Sequence, residues 1–457
     1  MLLLANSWIF YGIGYALLKN QPDWEWALGF FTILNALIHF AVLLVIAYRK
    51  LPDKNLYYFT QGLVLVFVTI AIPVLLDGYW ITLLYSGEAA LLFWIGRTKQ
   101  SYIYELLSYP LMVMLIYSLL CNWSDGYYHK NQVADAVTLI PLFNTFFLTS
   151  IIAVASFGFI HVINSKDEYP STLVGKDDFV TLAFFFIPSA FLVLLYFSFW
   201  NEIYAFWDHQ YAASMVTTTY KNGIVSSPVY NGDLLHYKTL WLENYTLLFL
   251  AILSYININK LKDEVLGYAN LIFNMAAICF FLTLALYLLG VLRDNYLGIT
   301  ENQYFKSSIF NLWIRYISLG FFGLILYSCY KYTRQEFLKI DLKVHFDLVL
   351  HISVAWVLST ELVTWMNIEG STQSYKLGLS ILWGVYSLLL ISLGIWKKKK
   401  HLRIGAIVLF AATLAKLFFY DLKELDTISK TIVFVSLGVL LLIISFLYNK
   451  YTNIISD

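Results

Sequence analysis

The chain has 457 residues, 60% apolar and 18% aromatic but only 13% charged, which excludes an ordinary soluble domain, because no soluble core hides that much apolar surface. Its 30 Lys and Arg balance 29 Asp and Glu, so no global field points to nucleic acid or to an acidic partner. Cys121, Cys279 and Cys329 are odd in number, sit in or beside apolar runs and show no CxxC pair, which argues against a disulfide framework or a zinc site.

Apolar runs of the roughly 20 residues needed to cross a bilayer recur from end to end. They predict an all-α polytopic membrane bundle of about 14 transmembrane helices. The expected cores are 2–19, 26–48, 56–76, 80–96, 103–121, 136–163, 179–200, 240–259, 265–292, 308–331, 346–366, 375–396, 402–420 and 428–449. The first, within MLLLANSWIFYGIGYALLKN, lacks the basic start and small-residue cleavage site of a signal peptide and is expected to remain as a spanning helix. Before the second run, PDWEWA places Asp23 and Glu25 two apart, either a metal-binding acid pair of the kind membrane glycosyltransferases use or a solvated turn. Within that run, His39 falls near mid-membrane, as a hydrogen-bonded core residue or a relay.

The fourth run carries Glu88 among Ser86, Gly87, Ala89 and Ala90, small residues that let a second helix approach closely. A carboxylate at bilayer centre costs about 2.5–3.5 kcal/mol on insertion scales, so Glu88 is expected to face the bundle and find a partner. The connection 201–238 is long for a compact bundle and too aromatic for a disordered linker, so it is expected as a partly ordered cap over the outer mouth of a single membrane domain, 1–457. Its WDHQ puts Asp208 beside His209, with no second ligand pair at metal spacing. Further on, Arg315 lies in NLWIRYISLG with Asn311 four residues earlier on the same helical face, Glu361 in VLSTELVTW, and Lys416 in ATLAKLFFYD.

Alternate connections differ in charge, with about 19 Lys and Arg on one parity and roughly 9 on the other, which predicts cytoplasmic termini by the positive-inside rule. The hairpins around Arg97, Lys260 and Lys397 repeat a helix, basic turn, helix pattern, with Gly96 and Gly394 in similar places. Glu88, Arg315, Glu361, Lys416, Asn311 and His39 form the candidate polar cluster, and two readings of it stand. In one, Glu88 or Glu361 pairs with Arg315 to fix helix packing while Lys416 extends to the head groups; in the other, the group lines an outward-facing cavity, the cations meeting an anionic head group and a carboxylate handling protons. GxxxxGK, HExxH and GxSxG are absent from the sequence, and neither cofactor nor metal is expected.

LLDGYWITLLYSGEAALLFWIGR, with Asp77, Gly78, Trp80, Glu88, Trp94 and Gly96, resembles a characteristic segment of the bacterial predicted membrane proteins called the domain-of-unknown-function 2339 family. KLFFYDLKELDTISKTIVFVSLGVLLLIISFLYNKY, with Lys416, Asp421, Leu425, Asp426, Gly438 and Tyr448, is similar to that family's closing segment; NSWIFYGIGYALL and IRYISLG fit as well. The resemblance implies a multi-pass protein of the bacterial inner membrane and no particular reaction. Family members are commonly longer, with additional spanning helices and often a coiled-coil stretch ahead of the matched region. The expected partners are the lipid bilayer and an anionic lipid-linked or small-molecule substrate. Three functions remain open: transport or flipping of an envelope solute or lipid-linked precursor, glycosyl or acyl transfer at the periplasmic face by acids such as Asp23, Glu25 or Asp208, and an envelope scaffold.

Overall fold

The computed structural model describes residues 2–20, 25–49, 54–129, 140–173, 177–217, 228–299, 304–370, 374–419 and 427–450. The chain divides into two compact units, Met1–Ala212 and Ala213–Asp457. Unit 1 holds α1 (Leu2–Lys19), α2 (Glu25–Tyr48), α3 (Lys54–Leu75), α4 (Tyr79–Thr98), α5 (Tyr102–Trp123, extended by a π turn), α6 (Thr145–Asn164) and nearly all of α7 (Asp177–Ala213). Unit 2 holds α8 (Gly232–Ile256), α9 (Glu264–Phe280) joined by a π turn to α10 (Leu286–Tyr296), α11 (Phe310–Tyr332), α12 (Lys343–Ile368), α13 (Ser374–Trp396), α14 (Lys400–Phe419) and α15 (Thr427–Lys450). The architecture is all-helical, as the apolar runs predict, and an isolated bridge between Val216 and Val229 is the only β pairing among the described residues.

Among the described residues ten helices are long and apolar enough to cross a membrane, α9 and α10 together counting as one. The others, α1, α4, α14 and α15, are helices outside that set; α4 and α14 carry charged residues within their length, Glu88 and Arg97 in one and Lys400, Arg403 and Lys416 in the other. Large apolar side chains such as Phe10, Leu17, Phe30, Leu182, Ile272 and Leu442 stand exposed. In water such a surface would drive aggregation, whereas in a bilayer it meets lipid tails at no cost. The backbone polar groups of these helices are satisfied internally, as a spanning segment requires.

Helix boundaries depart from expectation by eight or more residues in three places, the start of α6, the end of α7 and the start of α8. The sixth helix begins at Thr145 rather than near 136, because Asn144 caps it by accepting from the Phe147 N–H at 2.8 Å. The connection expected over 201–238 is helical at both ends: α7 continues to Ala213 and α8 starts at Gly232, with Asn231 as its cap. At 37 residues, α7 is about 55 Å long against a hydrocarbon thickness of about 30 Å.

The basic hairpins share a turn. After Gly96 the chain reaches Gln100 at φ 52°, and Ser101 N–H donates back to Gly96 O at 2.9 Å; after Gly394 it reaches Lys398 at φ 52°, and Lys399 N–H donates to Gly394 O at 2.9 Å. In both, the 6→1 bond and left-handed residue are those of a Schellman end. A Cβ on Gly96 would lie 2.5 Å from Glu105 N, and one on Gly394 3.0 Å from Arg403 N, so glycine is needed for the returning helix, nine residues on in each case, to pack this closely. The Lys260 turn resembles them, with Lys262 left-handed and its N–H bonded to Asn257 O at 2.7 Å, but lacks the glycine.

Candidate functional site

In unit 1 three buried charges, Arg97, Glu105 and Glu202, are tied into packing. Arg97 Nε lies 3.0 Å from Glu105 Oε1, with both side chains buried. Its terminal nitrogens donate to Tyr169 O at 2.9 Å and Asn164 Oδ1 at 2.6 Å. Glu105 also accepts from Tyr109, Ser171 and both the N–H and hydroxyl of Thr172. The network clamps the α4–α5 hairpin to the segment after α6. Glu202, on α7, does similar work, accepting from Tyr127, Asn144 and the Leu142 N–H.

Two sequence candidates also lie here. Glu88 takes a hydrogen bond from Thr69 at 2.7 Å while its second carboxylate oxygen has no partner among the described residues. His39 bonds to Ser7 at 3.0 Å and to the Asn35 carbonyl at 2.7 Å, the arrangement of a satisfied core histidine. Asp208 and His209 lie on α7, the backbone of Glu25 opens α2, and Asp23 falls outside the described residues. No group of three His, Cys, Asp or Glu side chains converges at metal distance among the described residues.

Unit 2 gathers the other candidates more closely. Arg315 on α11 is 3% exposed and forms an ion pair with Glu361 on α12 through Nε. Its two terminal amino groups make no hydrogen bond among the described residues. One turn earlier, Asn311 accepts from Tyr237 and donates to Asp233 Oδ2 at 2.8 Å and Leu292 O at 3.2 Å, while Asn295 donates to Asp233 Oδ1 at 2.6 Å. Lys416 on α14 donates to Ser380 at 3.0 Å.

Arg293 joins this layer. It is 8% exposed, bonds Asp294 through Nε and Nη2 at 2.9 and 2.7 Å, and reaches Thr364 at 3.3 Å. Two pockets, of about 510 and 280 Å³, share Arg293, Arg315 and Thr364 in their linings. The larger is otherwise walled mainly by apolar groups, including Leu286, Ile352, Val363, Leu379, Trp383 and Leu409. Its volume is that of a small-molecule site, about 300–1,000 Å³. Guanidinium is a planar, permanently charged fork that matches carboxylate or phosphate oxygens, and in this wall each fork already meets a carboxylate, Arg293 that of Asp294 and Arg315 that of Glu361.

Arg293 escaped sequence reasoning because the apolar run ends at 292 and assigns it to an outer loop, whereas α10 carries on to Tyr296 and turns it inward. Asp233 was hidden in the same way by the early start of α8. The available signal was VLRDNY, a helical continuation with Arg293 following directly on Leu289 and Leu292.

The fold defines a polytopic helical membrane protein, and unit 2 has a largely apolar pocket with two ion-paired arginines in its wall. The chain belongs to the family described as predicted membrane protein (DUF2339), which matches residues 1–451. No match is found among curated proteins or solved structures.

Proposed function

We propose that the protein is a bacterial inner-membrane protein with both termini cytoplasmic, whose unit 2 takes an envelope solute or lipid-linked precursor by its anionic head group and moves it across the membrane. The observation that carries the reading is the placement of Arg293 and Arg315 in the wall shared by two cavities, with the terminal amino groups of Arg315 uncommitted. Glu361 neutralises Arg315 while no guest is present, and an incoming anion competes for the same guanidinium. The apolar wall holds the guest's body, and Asn311 and Asp233 fix the α8, α10 and α11 ends around its head. The bridge between Val216 and Val229 ties together the two sides of the connection that we read as an outward cap.

The test is lipid movement in proteoliposomes, read by quenching of head-labelled phosphatidylglycerol, with labelled phosphatidylcholine as the neutral-headed control. Wild-type protein is expected to accelerate phosphatidylglycerol redistribution at least about tenfold over the control, a difference of about 1.4 kcal/mol in barrier. The charge-balanced variant R315Q/E361Q is expected to lose it. Equal rates for the two lipids, or full activity in the variant, contradict the reading.

A further inference from the structure

α8 and α11 run parallel, since Tyr237 donates to Asn311 near their starts and Asn257 to Tyr332 near their ends, at sequence offsets of 74 and 75. Two turns beyond the first pair, this register brings Asn244 of α8 level with Ser318 of α11, on the faces that carry Tyr237 and Asn311. Asn244 is 1% exposed and Ser318 is 0% exposed, yet among the described residues neither the amide oxygen nor nitrogen of Asn244 nor the Ser318 hydroxyl finds a hydrogen bond, to each other or to any other group. On the same turn stands Glu243, 7% exposed, whose Oε1 is likewise unpartnered.

Buried polar groups in native proteins are met by protein, water or an ion, and a lone carboxylate in a spanning helix is the most demanding of them. The basic residue nearest along the facing helix, Arg315, meets Glu361 through Nε and makes no hydrogen bond to Glu243. Glu243 stands about 16 Å into α8, because that helix starts at Gly232.

We propose that Glu243, Asn244 and Ser318 form a binding site for a monovalent alkali cation of the sodium class. The donors are hard oxygens, a carboxylate, an amide carbonyl and a hydroxyl, as such a cation requires. One carboxylate matches one positive charge, whereas a divalent ion would leave an uncompensated charge in a low-dielectric layer. The site uses no part of the arginine chamber and stands apart from the amphiphile reading.

Thermal unfolding of the full-length protein in phosphatidylcholine nanodiscs tests it, comparing sodium chloride with choline chloride at equal ionic strength and one pH. A ligand that binds only the folded state raises the apparent Tm in a saturable way. Wild-type protein is expected to gain several degrees in sodium over choline, E243Q and N244L to lose the gain, and S318A, which removes a single buried oxygen and folds with least disturbance, to need at least about tenfold more sodium for the same shift. A wild-type Tm indifferent to sodium, potassium and lithium, or a sodium response in S318A equal to wild type, overturns the proposal.

Discussion

Arg97 and Arg315 are both buried, and their surroundings differ in what they leave over. The Arg97 guanidinium spends its donors on Asn164 and Tyr169 beside Glu105, whose two oxygens accept four further bonds, so the group is closed to a guest. Breaking such a pair strands a charge, and E105Q or R97M is expected to destabilise by about 3–5 kcal/mol, read as a fall in thermal stability in detergent. The exposed pair of Lys339 with Glu264, 2.7 Å apart, offers the contrast. Glu264 holds the Lys339 ammonium's pKa above its ordinary value, mainly through their hydrogen bond, but water screens the pair, and K339A is expected to leave the transition where it is. Of the residues named from sequence, Arg315 and Glu361 meet as one of the two open readings required, with Asn311 on the same face of α11. Glu88, His39 and Lys416 each bond to a different neighbour, Thr69, Ser7 and Ser380. Side-chain rotation about each helix decides this, and rotation depends on neighbours that a single sequence does not place.

At the scale of elements, the apolar runs locate nearly every helix because bilayer thickness sets a common length, while end positions depend on local caps. Asn144 and Asn231 are such caps, and their effect shifts α6 and α8 by eight or nine residues from the expected starts. The earlier start of α8 carries Asp233 into the bundle. The Gly96 and Gly394 turns were visible as a weak repeat, and the structure shows why glycine recurs there. G394A is expected to cost about 1–3 kcal/mol through contact with the Arg403 backbone, whereas G405A, which meets open space on α14, is expected to be neutral or slightly stabilising in the same thermal assay. The parallel register of α8 and α11 has its own check. In a background lacking Cys121, Cys279 and Cys329, N244C with S318C is expected to join through a short bifunctional thiol reagent, and N244C with I325C, about 10 Å farther along α11, is not.

At the scale of the molecule, composition alone places the chain in a membrane, and the charge alternation supplies a sidedness. The sequence reads the turn at Lys397–Lys400 as cytoplasmic and the segment between α7 and α8 as outside. In cells, K397C is expected to resist a membrane-impermeant thiol reagent until the membrane is opened, and M215C, at an exposed position, to react at once. Labelling of both from one side would contradict the proposed sidedness. A reaction was not legible, because the chamber is built from Arg293, hidden at a helix end, and from apolar groups whose role depends on shape.

The most direct measurement is native mass spectrometry of the protein released from nanodiscs holding equal phosphatidylglycerol and phosphatidylcholine. Wild-type protein is expected to retain one phosphatidylglycerol in preference to phosphatidylcholine, and R293Q and R315Q/E361Q to retain neither preferentially. Release of wild type without bound anionic lipid, or retention by the variants equal to wild type, would contradict the assignment of Arg293 and Arg315 to an anionic guest.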